Sequence, residues 1–489
     1  MDIKEWLPEF SVSSEEDKDL MRYFVKTKQI SEILNQNKWM VLGRKGTGKT
    51  AIFEYFNSKQ FAASNRLTVP LNFKDYPWPI HRLYKESMEG ELNAYYKSWN
   101  YIIVTQALSN LISLIEKTSS LPEDLKNCKK IINSIYGKPN PTIIDTIKSK
   151  IGSLVSLSLP ELNAGELSAS LGEISFEEIS EDQKLKNRLK TNAFTLLDYF
   201  QKCLMDNVGV YEIYVTLDQL DENWLESEID EYSKILINLI NVCKSLNSKR
   251  EMQHIRIILF LRTDIFETLK FNDKNKIFQS SSIEIHWDNE SLDQMFYERI
   301  IKNKPDDLVL DSSLRSNSIF EVQYVRHGAT PFKHILRRSF YRPRDIIVYF
   351  NKIRNVHIES KKGLFTSSDL YSAENDFSIS IYNELMDEWS NQKPEIESYL
   401  NVLQNIGVQK FNYKKYDEYY LKKFPKADKS EIQESLSFLF QNSIVGQKTK
   451  ANWEFVCVNP YLQIDFSKQF YVNNGLKSRL TIVEQRQAR

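Results

Sequence analysis

Eight consecutive residues of this sequence have the types and spacing of a phosphate-binding loop. Residues 43–50, GRKGTGKT, match the pattern G-x-x-x-x-G-K-[ST] at every position. The glycines lack a Cβ and leave backbone N–H groups open to a phosphate. The lysine can reach the β- and γ-phosphates, and the threonine hydroxyl can bind Mg²⁺. We therefore predict that ATP is bound by Gly43, Gly46, Thr47, Gly48, Lys49 and Thr50, with Thr50 also a ligand of Mg²⁺.

The flanking residues predict the strand and the helix that such a loop needs. Residues 39–42, WMVL, form a short apolar run typical of a buried strand. After the loop, Ile52, Phe53 and Phe56 share one helical face, which would place the phosphates at a helix N-terminus, where unpaired N–H groups favour anions. The alternative is an ordinary glycine-rich turn. The chain has only 14 glycines in 489 residues, which makes a chance match rare.

A second predicted strand ends in acidic residues. Residues 210–217 are rich in β-branched and aromatic side chains, and Asp218, Asp221 and Glu222 follow them. An acid at the carboxyl end of a strand lies in the crevice where open α/β sheets bind ligands. We predict that Asp218 holds Mg²⁺ and that Asp221 or Glu222 orients and deprotonates the attacking water. A solvated acidic turn is the alternative for this stretch taken alone.

Two further strands complete the predicted sheet. Residues 254–261 end in a continuous apolar run, as expected of a strand covered on both faces. Arg262 follows and is placed to contact the γ-phosphate, with a surface ion pair as the alternative. Residues 282–287 form a fourth candidate strand before a predicted helix at about 290–302. Strands alternating with helices predict an α/β class, a three-layer P-loop NTPase domain over residues 1–287.

A long insertion separates the loop from the acidic strand. Lys49 and Asp218 are much further apart than the ~30 residues of one βαβ unit. We place a helical insertion at about 76–200, with a helix at 99–116 and a Ser/Leu-rich segment at 153–180 that contains no Lys or Arg. The segment suits a short hairpin or a Ser-rich loop. Its many leucines predict contact with another copy of the chain or with a partner protein.

Composition excludes several other classes of protein. Lys+Arg and Asp+Glu balance at 65 each, so the chain has no bulk attraction for nucleic acid or for an anionic membrane. No apolar run is long enough to cross a bilayer, and no export signal begins the sequence, so we expect a cytoplasmic protein. Four scattered cysteines and six scattered histidines predict no disulfide framework and no metal other than the Mg²⁺ of the nucleotide.

These motifs together resemble the STAND and Orc-like branches of the AAA+ superfamily. The acidic box, LDQLDE at residues 217–222, is similar to that of the NACHT and KAP members. The chain also resembles a little-characterised bacterial group of P-loop ATPases that are often associated with defence against phage, in which EED…L…YFV precedes the loop. The resemblance covers about residues 10–350. The residues that carry it are EED at 15–17, YFV at 23–25, GRKGTGKTAIF at 43–53, LDQLDE at 217–222, FLRTD at 260–264 and YRPRDIIVYF at 341–350.

The resemblance implies roles for the acidic residues. Asp218 would bind the metal, and Asp221 and Glu222 would share the activation of water. Most AAA+ proteins have a plain D-E pair, whereas Gln219 and Leu220 intervene here. Which carboxylate is the base is therefore left open.

The resemblance also implies roles for three arginines. Arg262 corresponds to the sensor-1 residue. Arg344, or Arg342, resembles a sensor-2 arginine delivered by a helical lid, which we place at residues 288–390. No arginine finger acting on a neighbouring subunit is identified.

The remaining residues, 391–489, predict a winged-helix-like domain, which follows the lid in many STAND and Orc-like proteins. The third helix presents Glu431 and Glu434 and no arginine, whereas base reading favours Arg, Lys, Asn and Gln, so DNA recognition is not favoured. The predicted order is helices at 396–403, 413–422 and 429–440, a hairpin pairing 443–445 with 453–458, and a final helix.

The sequence thus predicts an enzyme that binds and hydrolyses ATP and acts as a nucleotide-controlled assembly or signalling switch, as part of antiphage defence if the resemblance extends to that role. The alternative is an Orc-like ATP-dependent DNA-binding protein. A third hypothesis is a scaffold that binds ATP with negligible turnover.

Overall fold

The computed structural model describes nine stretches of the chain, which are residues 2–35, 38–74, 91–142, 183–220, 229–249, 252–359, 362–390, 392–450 and 452–484. The predicted interaction segment 153–180 lies outside them, as do Asp221 and Glu222. Contacts divide the chain into two compact units. The sheet unit is 28–43 with 52–284, and the helical unit is 1–27, 44–51 and 285–489. The predicted domain boundaries after residues 287 and 390 stay predictions.

The sheet unit is built on five parallel strands in the order β2-β3-β4-β1-β5. Their bounds are Met40–Leu42 (β1), Arg66–Asn72 (β2), Glu212–Asp218 (β3), Ile255–Leu261 (β4) and Ser282–Glu284 (β5). Strand β1 is buried throughout, and β3 and β4 are buried at all but one position each. Such burial on both faces is why these three strands have nearly continuous apolar sequences.

Helices cover both faces of this sheet. On one face, the ring of Phe53 meets Phe260 of β4 edge-on at 6.1 Å. On the other, Trp99 donates its indole N–H to the carbonyl of Ile235 at 3.0 Å and packs on Phe73. This confirms the predicted three-layer α/β fold. The helices are Lys28–Asn35 (α2), Lys49–Phe56 (α3), Glu91–Thr118 (α4), Glu123–Tyr136 (α5), Gln183–Asn207 (α6), Ile229–Ser248 (α7), Thr263–Thr268 (α8) and Lys274–Ser281 (α9).

The two outer strands of the sheet are the ones that the sequence predicted least well. Strand β2 was not predicted, because a proline within a run argues against a strand. Here Pro70 is exposed between the buried Val69 and Leu71, at the edge of the sheet where proline is tolerated. Strand β5 has three residues, fewer than the predicted 282–287. The predicted helix at 99–116 is longer and forms α4.

The helical unit contains the predicted lid helices and the N-terminal residues. The N-terminal helix, Ile3–Trp6 (α1), packs into the lid core, and Asn351 exchanges two hydrogen bonds with the backbone of Phe10, at 2.8 and 3.1 Å. Aromatic side chains dominate this core: Tyr349 stacks on Phe377 with ring centroids 4.4 Å apart. The lid helices are Asn289–Asn303 (α10), Pro331–Leu336 (α11), Pro343–Val356 (α12), Ser367–Ser372 (α13) and Glu374–Trp389 (α14).

The C-terminal part of the helical unit has three helices and a four-stranded antiparallel sheet in the order β6-β9-β7-β8. The three predicted helices lie within one to three residues of their expected bounds. The elements are Ile396–Ile406 (α15), Tyr413–Lys423 (α16), Lys429–Gln441 (α17), Lys410–Asn412 (β6), Val445–Lys448 (β7), Trp453–Glu454 (β8) and Gln469–Val472 (β9). The assignment to the winged-helix class stays a prediction.

Two details of the C-terminal prediction are wrong. The hairpin begins at Val445, because Ser443 has a left-handed φ of 59° and its hydroxyl accepts the N–H of Cys457, which ends the second strand early. The expected final helix is instead strand β9 and a short 3₁₀ turn, Asn474–Leu476. Phe470 and Val472 point to the buried side with the two-residue period of a strand.

Across the described residues, no helix combines the length and the apolar character that a membrane span requires.

The contact between the 3₁₀ turn 474–476 and the backbone of Arg338 gives a first prediction. A Cβ added to Gly475 would lie 2.0 Å from the carbonyl oxygen of Arg338, so Gly475→Ala must displace backbone. We expect a loss of about 3 kcal/mol or more in the free energy of unfolding, measured by chemical denaturation. The control is Gly328→Ala, which meets nothing within 4 Å but has a φ of +63° and should cost about 1 kcal/mol. Equal losses in the two variants would contradict the packing argument.

Candidate nucleotide-binding site

The carboxyl ends of three neighbouring strands bring predicted site residues to one edge of the sheet. Strand β1 leads into Gly43, whose N–H donates to the carbonyl of Leu261 at 3.3 Å and whose carbonyl accepts from Thr263 at 3.4 Å. Arg262 lies between those two partners, and Asp218 is the last residue of β3, the other neighbour of β4. Because all these strands are parallel, Gly43, Asp218 and Arg262 share the edge at which α/β sheets bind ligands.

The acidic strand turns sharply at its end. Asp218 is only 3% exposed, and Gln219 after it has a left-handed φ of 63°, which is uncommon for a residue with a Cβ. Leu220 is buried again. The strand conformation therefore ends at Asp218, and Asp221 and Glu222 lie beyond the described residues. The choice of base between those two stays open.

Arg262, the predicted sensor-1 residue, is held by a neighbouring carboxylate. Its guanidinium makes two parallel hydrogen bonds to Asp264, Nε to Oδ1 at 3.1 Å and Nη2 to Oδ2 at 2.6 Å. Both side chains are less than a tenth exposed. The ion pair is therefore buried, unlike the surface pair that the sequence left as the alternative. The paired hydrogen bonds fix the orientation of the Arg262 guanidinium.

The phosphate loop folds around the carbonyl oxygen of Arg44. That oxygen accepts from the Thr47 amide at 3.3 Å, the Thr47 hydroxyl at 2.8 Å and the Lys49 ammonium at 3.1 Å. Gly46 and Gly48 have φ values of +80° and +97°, which only glycine adopts without strain. Three of the predicted phosphate-binding residues, Thr47, Gly48 and Lys49, thus belong to one tight turn that continues into α3.

Three donors of the helical unit bind the loop carbonyls in succession. The carbonyl groups of residues 45, 46 and 47 each accept one hydrogen bond, at 3.2, 3.4 and 2.8 Å. In a planar trans peptide the next N–H points the opposite way, so the N–H groups of Gly46 and Gly48 face away from these donors. The donors are the side chain of Arg342, the backbone amide of Arg344 and the indole of Trp287.

The side chain of Arg344 lies directly against Gly46. A Cβ at Gly46 would be 3.1 Å from the Cβ of Arg344 and 3.3 Å from its Cδ. The missing side chain at this motif position therefore gives room to the arginine as well as to a phosphate. Glu384 of α14 binds Arg344 at 2.8 Å, and the arginine side chain remains 27% exposed.

Arg342, the other sensor-2 candidate, is committed to a buried cluster of acids. It is 4% exposed and pairs with Asp345 at 3.0 Å and Glu388 at 3.2 Å, with Glu384 at 3.9 Å. Burial alone would lower the pKa of Arg342. The three carboxylates have the larger effect and raise the pKa, so the guanidinium stays charged. Of the two arginines, Arg344 is the one with exposed surface to offer a ligand.

Two adjoining cavities of the helical unit lie beside Arg344. Their volumes are about 580 and 400 Å³, in the range of small-molecule sites, and both are lined by Glu9, Val12, Arg344 and Asn351. The smaller one also reaches Lys45 of the loop and Glu384. The N-terminal segment and the lid therefore enclose space next to the phosphate loop, which the sequence did not indicate.

Two of the residues that fix the loop, Arg44 and Trp287, were not found from the sequence. Arg44 occupies a variable position of the motif, yet its guanidinium binds the carbonyl of Gln441 at 3.0 Å and the side chain of Asn442 at 2.7 Å. Trp287 ends a predicted strand and gave no signal of its own.

The described part of the chain contains no group of three or more His, Cys, Asp or Glu side chains arranged to hold a metal.

Helix α17, for which the sequence did not favour DNA recognition, uses two of its acids in contacts within the chain. Glu431 completes a capping box with Asp428 at the helix N-terminus, and Glu434 pairs with Lys393 at 3.0 Å.

The strand, motif loop and helix at the carboxyl edge of a parallel sheet make this a P-loop ATPase fold. Residues 290–386 match the family model described as the FunZ-associated C-terminal helical domain. The chain is 23% identical over 403 residues to the transposon gamma-delta 80.3 kDa protein of Escherichia coli K12. That match covers 81% of this chain and 53% of the relative, so the chain spans about half the length of the curated relative it matches.

Solved structures of three other proteins are distantly similar over almost the whole chain. A Walker-type ATPase of Pyrococcus abyssi is 11% identical, with a TM-score of 0.39 and coverage of 96% of each chain. The Orc1 protein of Aeropyrum pernix in complex with DNA is 11% identical, with a TM-score of 0.33 and coverage of 98% and 94%. Cdc6p of Pyrobaculum aerophilum is 10% identical, with a TM-score of 0.30 and coverage of 98% and 95%. Likenesses this distant carry no functional argument.

The buried cluster around Arg342 gives a second prediction. Arg342→Met leaves Asp345 and Glu388 buried without their cation, and we expect a loss of about 3–5 kcal/mol in the free energy of unfolding. The matched control is Arg344→Met, which removes a more exposed ion pair and should cost about 1 kcal/mol. Urea denaturation of both variants measures the difference. A loss as small for Arg342→Met as for the control would show that the acids find other partners.

Proposed function

We propose that this chain binds and hydrolyses ATP. The observation that carries the proposal is an unbroken G-x-x-x-x-G-K-T motif that follows β1 and continues into α3, in a chain whose parallel sheet also has an acid, Asp218, at the end of β3. The motif alone supports phosphate binding. An acid at the end of a nearby parallel strand adds the metal ligand that hydrolysis requires.

The loop residues suit a polyphosphate. Gly46 and Gly48 provide N–H groups that face away from the lid donors, with no Cβ in front of them, and Lys49 supplies the cation for the β- and γ-phosphates. The Thr50 hydroxyl and the Asp218 carboxylate are the hard oxygen ligands that suit Mg²⁺. The bound ion would neutralise charge on the phosphates, and Asp221 or Glu222 would orient and deprotonate the attacking water.

Two arginines complete the proposed site. Arg262, oriented by Asp264, would sense the γ-phosphate at the sheet edge. Arg344, half-buried and packed against Gly46, would contact the phosphates from the lid, and the nucleoside would occupy the adjoining cavities. Phosphoryl transfer depends mainly on positioning and charge compensation, which these groups supply.

The proposed ATPase acts as a switch. Glu384 and Glu388 of α14 hold the two arginines that contact the loop, so a change in the charge bound by the loop acts directly on α14. We propose that this change controls assembly with a second copy or a partner protein through residues 153–180. A role in antiphage defence is supported by the sequence resemblance alone.

The central test removes the phosphate-binding cation and the metal ligand separately. Lys49→Ala should lower kcat/KM for ATP by about a hundredfold or more, because it deletes the charge facing the β- and γ-phosphates. Asp218→Asn should keep part of the ATP binding and lose Mg²⁺-dependent phosphate release. Phosphate release and nucleotide binding are measured side by side, with the exposed Lys59→Ala as the charge-matched control. Unchanged turnover in both site variants would refute an enzyme. Tight binding without turnover in the unmodified chain would favour a scaffold.

A second test separates the two candidate bases. Asp221→Asn and Glu222→Gln preserve shape and remove one charge each, so the variant that lacks the base should bind ATP and fail to hydrolyse it. The readout is the nucleotide retained after gel filtration, ATP or ADP, compared with the single-turnover rate. We expect Asp221→Asn to trap ATP. Mild and equal effects of the two substitutions would exclude both residues as the base.

A further inference from the structure

A third cavity of the helical unit lies on the side of α14 where that helix begins. Its volume is about 300 Å³, and it opens between the lid and the C-terminal segment 474–482. Arg326, Arg338 and Lys477 line it, and Glu374 is the acid in its wall. None of the residues assigned to the proposed ATP site belongs to it.

The walls of this cavity are tied together by hydrogen bonds across its rim. The Asn474 side chain donates to the carbonyl of Arg337 at 3.2 Å, and the Arg479 amide donates to the hydroxyl of Ser378 at 2.9 Å. Gly475 packs so closely on the Arg338 carbonyl that no Cβ fits between them. The two sides are thus held at a fixed separation that leaves the cavity between them, which is the preformed geometry of a ligand site.

The cavity has more positive than negative charge. Arg338 pairs with Glu374 at 3.1 Å, and Lys477 pairs with Glu484 at 2.9 Å. Burial would raise the pKa of Glu374, but His334 and Arg338 outweigh it and lower the pKa, so the acid is ionised. Among the residues that the structure describes, no carboxylate forms an ion pair with Arg326, which leaves one cation in excess.

Arg326 is exposed, and an aromatic ring rather than an ion pair orients it. The guanidinium of Arg326 lies 4.1 Å from the ring centre of Tyr371. The backbone N–H of Arg326 donates to the hydroxyl of the same tyrosine at 2.9 Å. Stacking on an aromatic ring orients the planar fork while leaving its N–H donors at the edge, and such a fork matches phosphate oxygens. The rest of the wall includes the apolar side chains of Phe377 and Ile482.

We propose that this cavity binds the phosphate monoester of a small, partly apolar metabolite as an effector. Arg326, Arg338 and Lys477 would contact the phosphate, and Phe377 and Ile482 would contact the apolar part. The volume suits a ligand smaller than ATP.

The effector would act through α14. Glu374 begins this helix, and Glu384, which binds Arg344, lies ten residues further along, about 15 Å at 1.5 Å per residue. An anion that competes with Glu374 for Arg338 would weaken the ion pair that anchors the start of the helix. The binding claim is independent of the proposed ATPase activity, whereas an effect on turnover rests on it.

The test measures binding of phenyl phosphate and of inorganic phosphate by calorimetry in the full-length chain. The Lys49→Ala background removes the loop as a competing phosphate site. We expect phenyl phosphate to bind more tightly than inorganic phosphate, Arg326→Ala to weaken its binding by about tenfold or more, and Arg326→Lys to weaken it less. Lys333→Ala removes an exposed lysine of α11 outside the cavity and should change nothing.

Hydrogen exchange of residues 374–389 supplies the second readout. Phenyl phosphate should slow exchange there in the parent and in Lys333→Ala, and not in Arg326→Ala. The absence of binding at millimolar concentration, or equal affinity in the parent and Arg326→Ala, would overturn the site. Equal affinity for the two probes would overturn the apolar part of the ligand, and binding without slower exchange would overturn the effector role. Each result stands whether or not the chain hydrolyses ATP.

Discussion

The phosphate loop keeps its shape because three successive carbonyl groups are bound by donors far away in the sequence. The carbonyls of residues 45–47 accept hydrogen bonds on one side of the loop from the side chain of Arg342, the amide of Arg344 and the indole of Trp287. Because each peptide is planar, the N–H groups between these carbonyls point to the other side. A glycine-rich loop has high conformational freedom and loses more entropy on ordering than other sequences. The lid therefore supplies order that the motif itself does not contain. This dependence explains why Arg342 must be anchored in turn by buried carboxylates.

The parts of this architecture that could be predicted are those whose signals are local. Strands β1, β3 and β4 are apolar runs buried on both faces, and the loop is a motif of fixed spacing, so both can be recognised without any tertiary information. Strand β2 was missed because a proline, Pro70, lies within it, and only its position at the edge of the sheet makes that proline tolerable. The short strand β9 was taken for a helix. The contacts of Arg44 and Trp287 had no signal at all, since each depends on residues that only folding brings near.

One helix connects the charges of the helical unit. The carboxylates of α14 hold Arg344 and Arg342 in its second half and Arg338 at its start. Most of these side chains are buried or half-buried, where ion pairs are costly to break singly because the remaining charge has no solvent to compensate it. A rigid element with two such anchoring points cannot shift at one end without strain at the other. The ion pairs at both ends of α14 and the surrounding aromatic core thus hold the helices of this unit in one packed arrangement.

The edges of the parallel sheet limit how copies of this chain can associate. Strand β2 carries Pro70, which has no N–H to donate, and β5 has three residues, too few to form an extended ladder with another strand. Neither border is therefore a template for adding a strand from a second molecule. In the assembly proposed above, copies that met at either border of this sheet would therefore have to do so through side chains. These two borders would then carry little risk of the irreversible cross-β stacking that open sheet borders invite.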